Sequence, residues 1–121
     1  MPILTVEIVT RPDERFPAEL AHMLADRAGA ILHSAPGHTW VTVRFIASEH
    51  YAENQNSSAD IHPVFVSILK ATIPTPEMLQ TEVAELTIAI GQCCNRPPAH
   101  VHIIYLPQGA GRVAFGGKVL S

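Results

Sequence analysis

The sequence predicts an α+β fold: a duplicated β-α-β unit forming a four-stranded mixed sheet with two helices on one face. Three observations carry this expectation. Short β-branched runs alternate with runs of helical period in the order strand, helix, strand, and the order occurs twice. The two halves keep a register, since Val41 maps onto Val101 and Ile8 onto Ile68 at the same interval. The chain has 121 residues, the length of one domain.

Each element has its own signal. Residues 3–8 are apolar and β-branched, a strand. Pro17 suits the first position of a helix. Leu20, Met23, Leu24, Ala28, Ile31 and Leu32 then recur at helical spacing up to the breakers around Pro36 and Gly37. Residues 40–46 are the second strand. The polar run 48–58 is the loop between units. Residues 64–69 are the third strand. Thr75 is a candidate N-cap with Pro76 behind it. Leu79, Val83, Leu86 and Ile90 are the apolar stripe of a second helix, ended by residues 95–98. Residues 100–106 are the fourth strand. The helices match best when Leu20 is set on Leu79 and Leu24 on Val83, one residue out of step with the strands. The expected organisation is a single domain over 1–121, with pseudo-repeats at 2–47 and 62–107. Its tail, 108–121, is a glycine-punctuated strand or hairpin able to reach a neighbour.

Parallel strands with right-handed crossovers put both helices on one sheet face. The other face is then bare, and its apolar alternation calls for a partner subunit. Composition agrees: 47% of residues are apolar and only 16% charged, little charge for a lone small domain. The net charge of −3 and the lack of a basic, aromatic-interleaved block give no reason to expect nucleic acid or an anionic membrane. The start of the chain has no basic region or long apolar run, and no stretch reaches the roughly 18 apolar residues of a membrane span. Cys93 and Cys94 are the only cysteines, and such neighbours do not suggest a disulfide framework. A reduced, cytoplasmic protein is expected.

Three places resemble one family. The opening Met1-Pro2-Ile3-Leu4-Thr5-Val6-Glu7-Ile8 resembles the start of 4-oxalocrotonate tautomerase. Ala35-Pro36, Thr42-Val43-Arg44-Phe45-Ile46 and Ser48-Glu49 resemble that family's turn, arginine-bearing strand and loop. Phe115-Gly116-Gly117 resembles its C-terminal glycine motif. Length and duplication are closer to the longer members of the tautomerase superfamily, among them 5-carboxymethyl-2-hydroxymuconate isomerase and macrophage migration inhibitory factor. The resemblance implies a tautomerase/MIF-like fold, a homotrimer, no cofactor, and a pocket around an N-terminal proline.

The chemistry follows from that terminus. Removal of Met1 frees the secondary amine of Pro2. An α-amino group titrates near about 7.7–8.0, and burial beside a cation pushes it towards the neutral, proton-accepting form. Pro2 is therefore the candidate catalytic base. The resemblance implies as substrate a small 2-oxo or 2-hydroxydienoic acid of the kind met in aromatic catabolism. Such a carboxylate suits a guanidinium, and the resemblance assigns it to Arg44, with Arg11 or Lys70 as a second cation. Phe115 and Tyr105 are candidates for the apolar wall. His100 and His102 share a strand face but lack a third ligand, so no metal is expected. Alternative readings are a decarboxylase or hydrolytic dehalogenase of a three-carbon acid, for which no water-positioning acid is evident, and a non-enzymatic trimeric binding or signalling protein.

Overall fold

The computed structural model describes residues 2–56 and 60–121. Met1, and Ser57 and Ser58 of the expected loop, lie outside the described residues. The chain runs β1 (Ile3–Thr10), α1 (Leu20–Ile31), β2 (Trp40–Ala47), β3 (Val64–Leu69), α2 (Pro76–Cys94), β4 (Val101–Tyr105), β5 (Ala114–Phe115) and β6 (Lys118–Val119). Strand order in the main sheet is β2-β1-β3-β4. β1 pairs parallel with β2, and β3 parallel with β4, each pair bridged by a helix. β1 and β3 are antiparallel, and their register is symmetric about Val6 opposite Val66. β5 and β6 form a separate two-stranded hairpin.

Alternation along the strands selects the core. Leu4, Val6 and Ile8 of β1, Val64, Val66 and Ile68 of β3 and Val101 of β4 are buried against Leu20, Leu24 and Ala28 of α1 and Leu86, Ile90 and Cys94 of α2. Both helices thus lie on one face, as predicted. The other face carries Trp40, Arg44, His102 and Ile104, all exposed. Trp40 is 51% and Ile104 59% exposed, high values for large apolar side chains on a sheet.

Two helix details differ from expectation. α1 opens at Leu20, not Pro17. Residues 17–19 form a turn closed by the Leu20 amide donating to the Pro17 carbonyl at 3.1 Å, and Glu19 supplies no side-chain cap for an earlier start. In α2 the deep layer is Leu86, Ala89, Ile90 and Cys94, whereas Leu79 and Val83 are half-buried. α2 has 19 residues against 12 in α1, so the equivalence of Leu20 with Leu79 does not extend to depth. The Thr75 cap is present: its hydroxyl accepts from the Met78 amide at 3.4 Å, and Asn95 ends the helix with φ 57°. β4 begins one residue later than expected, because His100 closes a 3₁₀ turn over Pro98–His100.

The fold is clasped at one end of the central strands by Arg96, whose side chain is fully buried. Its Nη1 and Nη2 donate to the two carboxylate oxygens of Glu14 at 2.8 and 2.7 Å. Nε donates to the His62 carbonyl at 2.6 Å and Nη2 to the Val9 carbonyl at 2.9 Å. The guanidinium also lies over Phe16, 5.8 Å from the ring centre. A buried cation is tolerable only with partners of this number and geometry.

Candidate active site

Pro2 immediately precedes β1, at the end of the sheet opposite the clasp. It is buried, and its carbonyl accepts from the Trp40 amide at 3.0 Å, which extends the β1–β2 pairing by one step. The β1–β3 register sets Ile3 against Leu69, so one further step sets Pro2 against Lys70. Position in the ladder, rather than a loop, brings the proline and the lysine together.

Two cavities meet at Pro2. One, of about 300 Å³, is bordered by Pro2, His33, Ser34, His38 and Lys70 among others. The second, of about 210 Å³, is bordered by Pro2, Gly37, His38, Trp40 and Phe115. The first is mixed in lining and has Lys70 on its border. The second is walled by two aromatic rings that meet edge to face at 5.3 Å. Trp40 is steadied by its indole N–H donating to the Gly37 carbonyl at 3.0 Å. Phe115 is delivered by the β5–β6 hairpin, whose two-residue turn, Gly116 and Gly117, has φ of 57° and 89°. Positive φ at both central positions is the geometry of the tightest hairpin turn and favours glycine. The tail folds back on its own chain: the Gly109 amide donates to the Lys70 carbonyl at 2.8 Å, and the Leu120 amide to the Val113 carbonyl at 2.8 Å.

Lys70 is held from outside the cavity. Its Nζ lies 2.9 Å from Glu82 Oε1, with only 19% and 14% of the two side chains exposed. Glu82 Oε2 accepts from the Tyr105 hydroxyl. Burial, followed by the Glu82 carboxylate, pushes the Tyr105 phenol well above its ordinary value and keeps it a donor.

Of the residues expected in the site, Pro2, Lys70 and Phe115 come together. Tyr105 stands one carboxylate away and borders neither cavity. Arg44 lies four residues along β2 from Trp40, roughly 13 Å at strand spacing. It is exposed on the open sheet face, with Glu7 at 3.9 Å. Arg11 follows the far end of β1 and pairs with Glu14 at 3.1 Å. Within one chain, neither arginine borders the Pro2 cavities. His33, His38 and Trp40 border them and were not expected there. Their signal was present in the sequence, since they flank the turn that leads into the strand beside Pro2. Among the described residues, no three His, Cys, Asp or Glu side chains are grouped to hold a metal ion.

No protein-family model matches the chain, and no curated protein matches it significantly in sequence. Solved structures do match. A fused 4-OT described as an asymmetric trimer superposes with a TM-score of 0.78 at 10% identity, covering 97% of this chain and 94% of that one. A protein inactivated by 2-oxo-3-pentynoate gives 0.75 at 16% identity, covering 97% and 94%. Macrophage migration inhibitory factor from Oncomelania hupensis gives 0.74 at 16% identity, covering 99% and 82%. The chain has the tautomerase-superfamily fold. The shared fold spans nearly the whole chain. No helix among the described residues is long and apolar enough to cross a membrane.

Proposed function

We propose that this protein is a cofactor-independent tautomerase or isomerase of a small 2-oxo or 2-hydroxydienoic acid, with Pro2 as its base once Met1 is removed. The observation that carries this reading is the placement of Pro2: buried, immediately before β1, and shared by two cavities, one bordered by Lys70 and the other walled by Trp40 and Phe115. Burial disfavours the protonated amine, and the Lys70 ammonium across the ladder disfavours it further. A neutral amine takes the proton of an enol hydroxyl and returns it to carbon, so no cofactor is required. Lys70 takes the substrate's carboxylate, and the Trp40–Phe115 wall takes its apolar end. Keeping the charged and apolar ends of the substrate apart fixes which atom faces the amine.

The open sheet face supports a homotrimer, in which Arg44 on that face becomes available to a neighbouring subunit. Sedimentation mass tests this, with three times 13.1 kDa expected.

The decisive functional experiment pairs mass spectrometry of the natively processed N-terminus with turnover of phenylenolpyruvate by wild type and Pro2→Ala. Loss of Met1 and a fall in kcat/KM of at least about a hundredfold are expected for removal of a general base. Retained Met1, or unchanged turnover in Pro2→Ala, rejects the proposed base.

A further inference from the structure

We propose that Glu82 is a positioning residue for carboxylate binding: together with Tyr105 it holds the Lys70 ammonium at the edge of the Pro2 cavity. This inference rests on the functional reading above but concerns a different residue and a different step.

Three elements converge on the cluster. Lys70 directly follows β3, Glu82 lies on α2 and Tyr105 ends β4. Lys70 borders the Pro2 cavity and Glu82 does not, so the carboxylate approaches the ammonium from outside the cavity. Both Glu82 oxygens are engaged, Oε1 by Lys70 at 2.9 Å and Oε2 by Tyr105. A carboxylate tied at both oxygens cannot rotate away with its partner. The lysine backbone is fixed as well, because its carbonyl accepts from Gly109.

A lysine needs this support more than an arginine does. Its charge rides on a four-carbon stem carrying about 2 kcal/mol of rotamer entropy. Left free, that entropy opposes every binding event. Tied to Glu82, it is lost on folding, and the ammonium meets the substrate in place. Two of the ammonium's three donors remain for a ligand, since Glu82 Oε1 takes one.

Electrostatics alone predicts the opposite effect of Glu82. A carboxylate 2.9 Å from the only lysine bordering the cavity repels an anionic substrate. Removing its charge would then tighten binding. The sign of the change therefore separates positioning from simple charge balance.

The test is a titration with phenylpyruvate, followed by calorimetry, in the full-length protein. It is run in both the wild-type and the Pro2→Ala background, so binding is read without turnover and the base hypothesis is judged separately. Glu82→Gln keeps the shape and an acceptor. It is expected to weaken Kd about tenfold, and to raise KM similarly with kcat within about twofold. Tyr105→Phe is expected to weaken Kd to a smaller extent. In a Lys70→Met background Glu82→Gln is expected to change nothing further, because the effect passes through the lysine. Unchanged or tightened binding in Glu82→Gln with native circular dichroism overturns the proposal, as does an equal loss in the Lys70→Met background. Where Glu82→Gln fails to fold, Glu82→Asp and Tyr105→Phe carry the same comparison.

Discussion

Arg96 and Glu14 meet through two parallel hydrogen bonds of 2.8 and 2.7 Å, bridging the end of α2 to the segment after β1. Hydrogen bonding from Arg96 is the main reason the Glu14 carboxyl falls from 4.5 to about 2, against an opposing effect of burial, with the Arg11 amide contributing further. The folded state favours the carboxylate. Its contribution is full above pH 4.5 and fades as the pH falls towards 2. A shift of this size corresponds to about 3 kcal/mol, less whatever solvent screening removes. Thermal melts between pH 5 and 2 should show the loss, and Glu14→Gln should flatten the profile over that range.

Truncating the other partner should cost more. Arg96→Met leaves the half-buried Glu14 carboxylate with Arg11 as its remaining partner and takes the guanidinium donor from the Val9 and His62 carbonyls. The expected destabilisation is about 3–5 kcal/mol, read as a lower urea midpoint. A change below about 1 kcal/mol would mean the clasp is ornamental.

Trp40 is the only tryptophan, and it borders a Pro2 cavity beside Phe115. Its fluorescence should therefore respond to any ligand that enters. Phenylpyruvate should alter the emission in the wild type, and Phe115→Ala should both shift the baseline and reduce the response. Emission that ignores a ligand seen to bind by calorimetry would place the ligand elsewhere.

The hairpin turn offers a change remote from the cavity that Lys70 borders. Alanine at Gly116 and Gly117 must adopt φ of 57° and 89°, costing about 1–2 kcal/mol at each position. The hairpin should loosen and carry Phe115 off Trp40. Activity should fall while the far-ultraviolet circular dichroism stays close to wild type, since the core does not include these residues.

Ile104 is 59% exposed on the open face of the edge strand β4. Ile104→Glu should leave the monomer folded and lower the sedimentation mass to 13.1 kDa. A trimeric Ile104→Glu protein would show that this part of the face is not the interface.

Strand periodicity and turn chemistry made the scaffold readable. β3 and α2 fall at their expected bounds because a Pro76 start, an Asn95 stop and a β-branched run are local signals. Side-chain partnerships across the fold were not readable. Lys70 and Glu82 are separated by 12 positions and Glu82 and Tyr105 by 23, and no periodic signal links them. Arg96 read only as part of a helix stop, although its partners lie 82 and 87 positions away. Pro2 was legible from its place in the chain, and Lys70 was named as one of two candidates for a second cation. Arg44 and Arg11 came from resemblance, and counting strand steps sets both away from Pro2 in their own subunit.

The pairing centred on Val6 and Val66 has a final consequence. A half-turn about that point carries the backbone place of Pro2 onto that of His62. The scaffold thus provides two matching sockets, one at either rim of the antiparallel pair. A guanidinium is stitched into the socket at His62 and fastens it to Val9. The other is left hollow, with an ammonium at its lip. A single chain built on paired halves in this way commits one rim to holding itself together and leaves the other open beside Pro2 and Lys70.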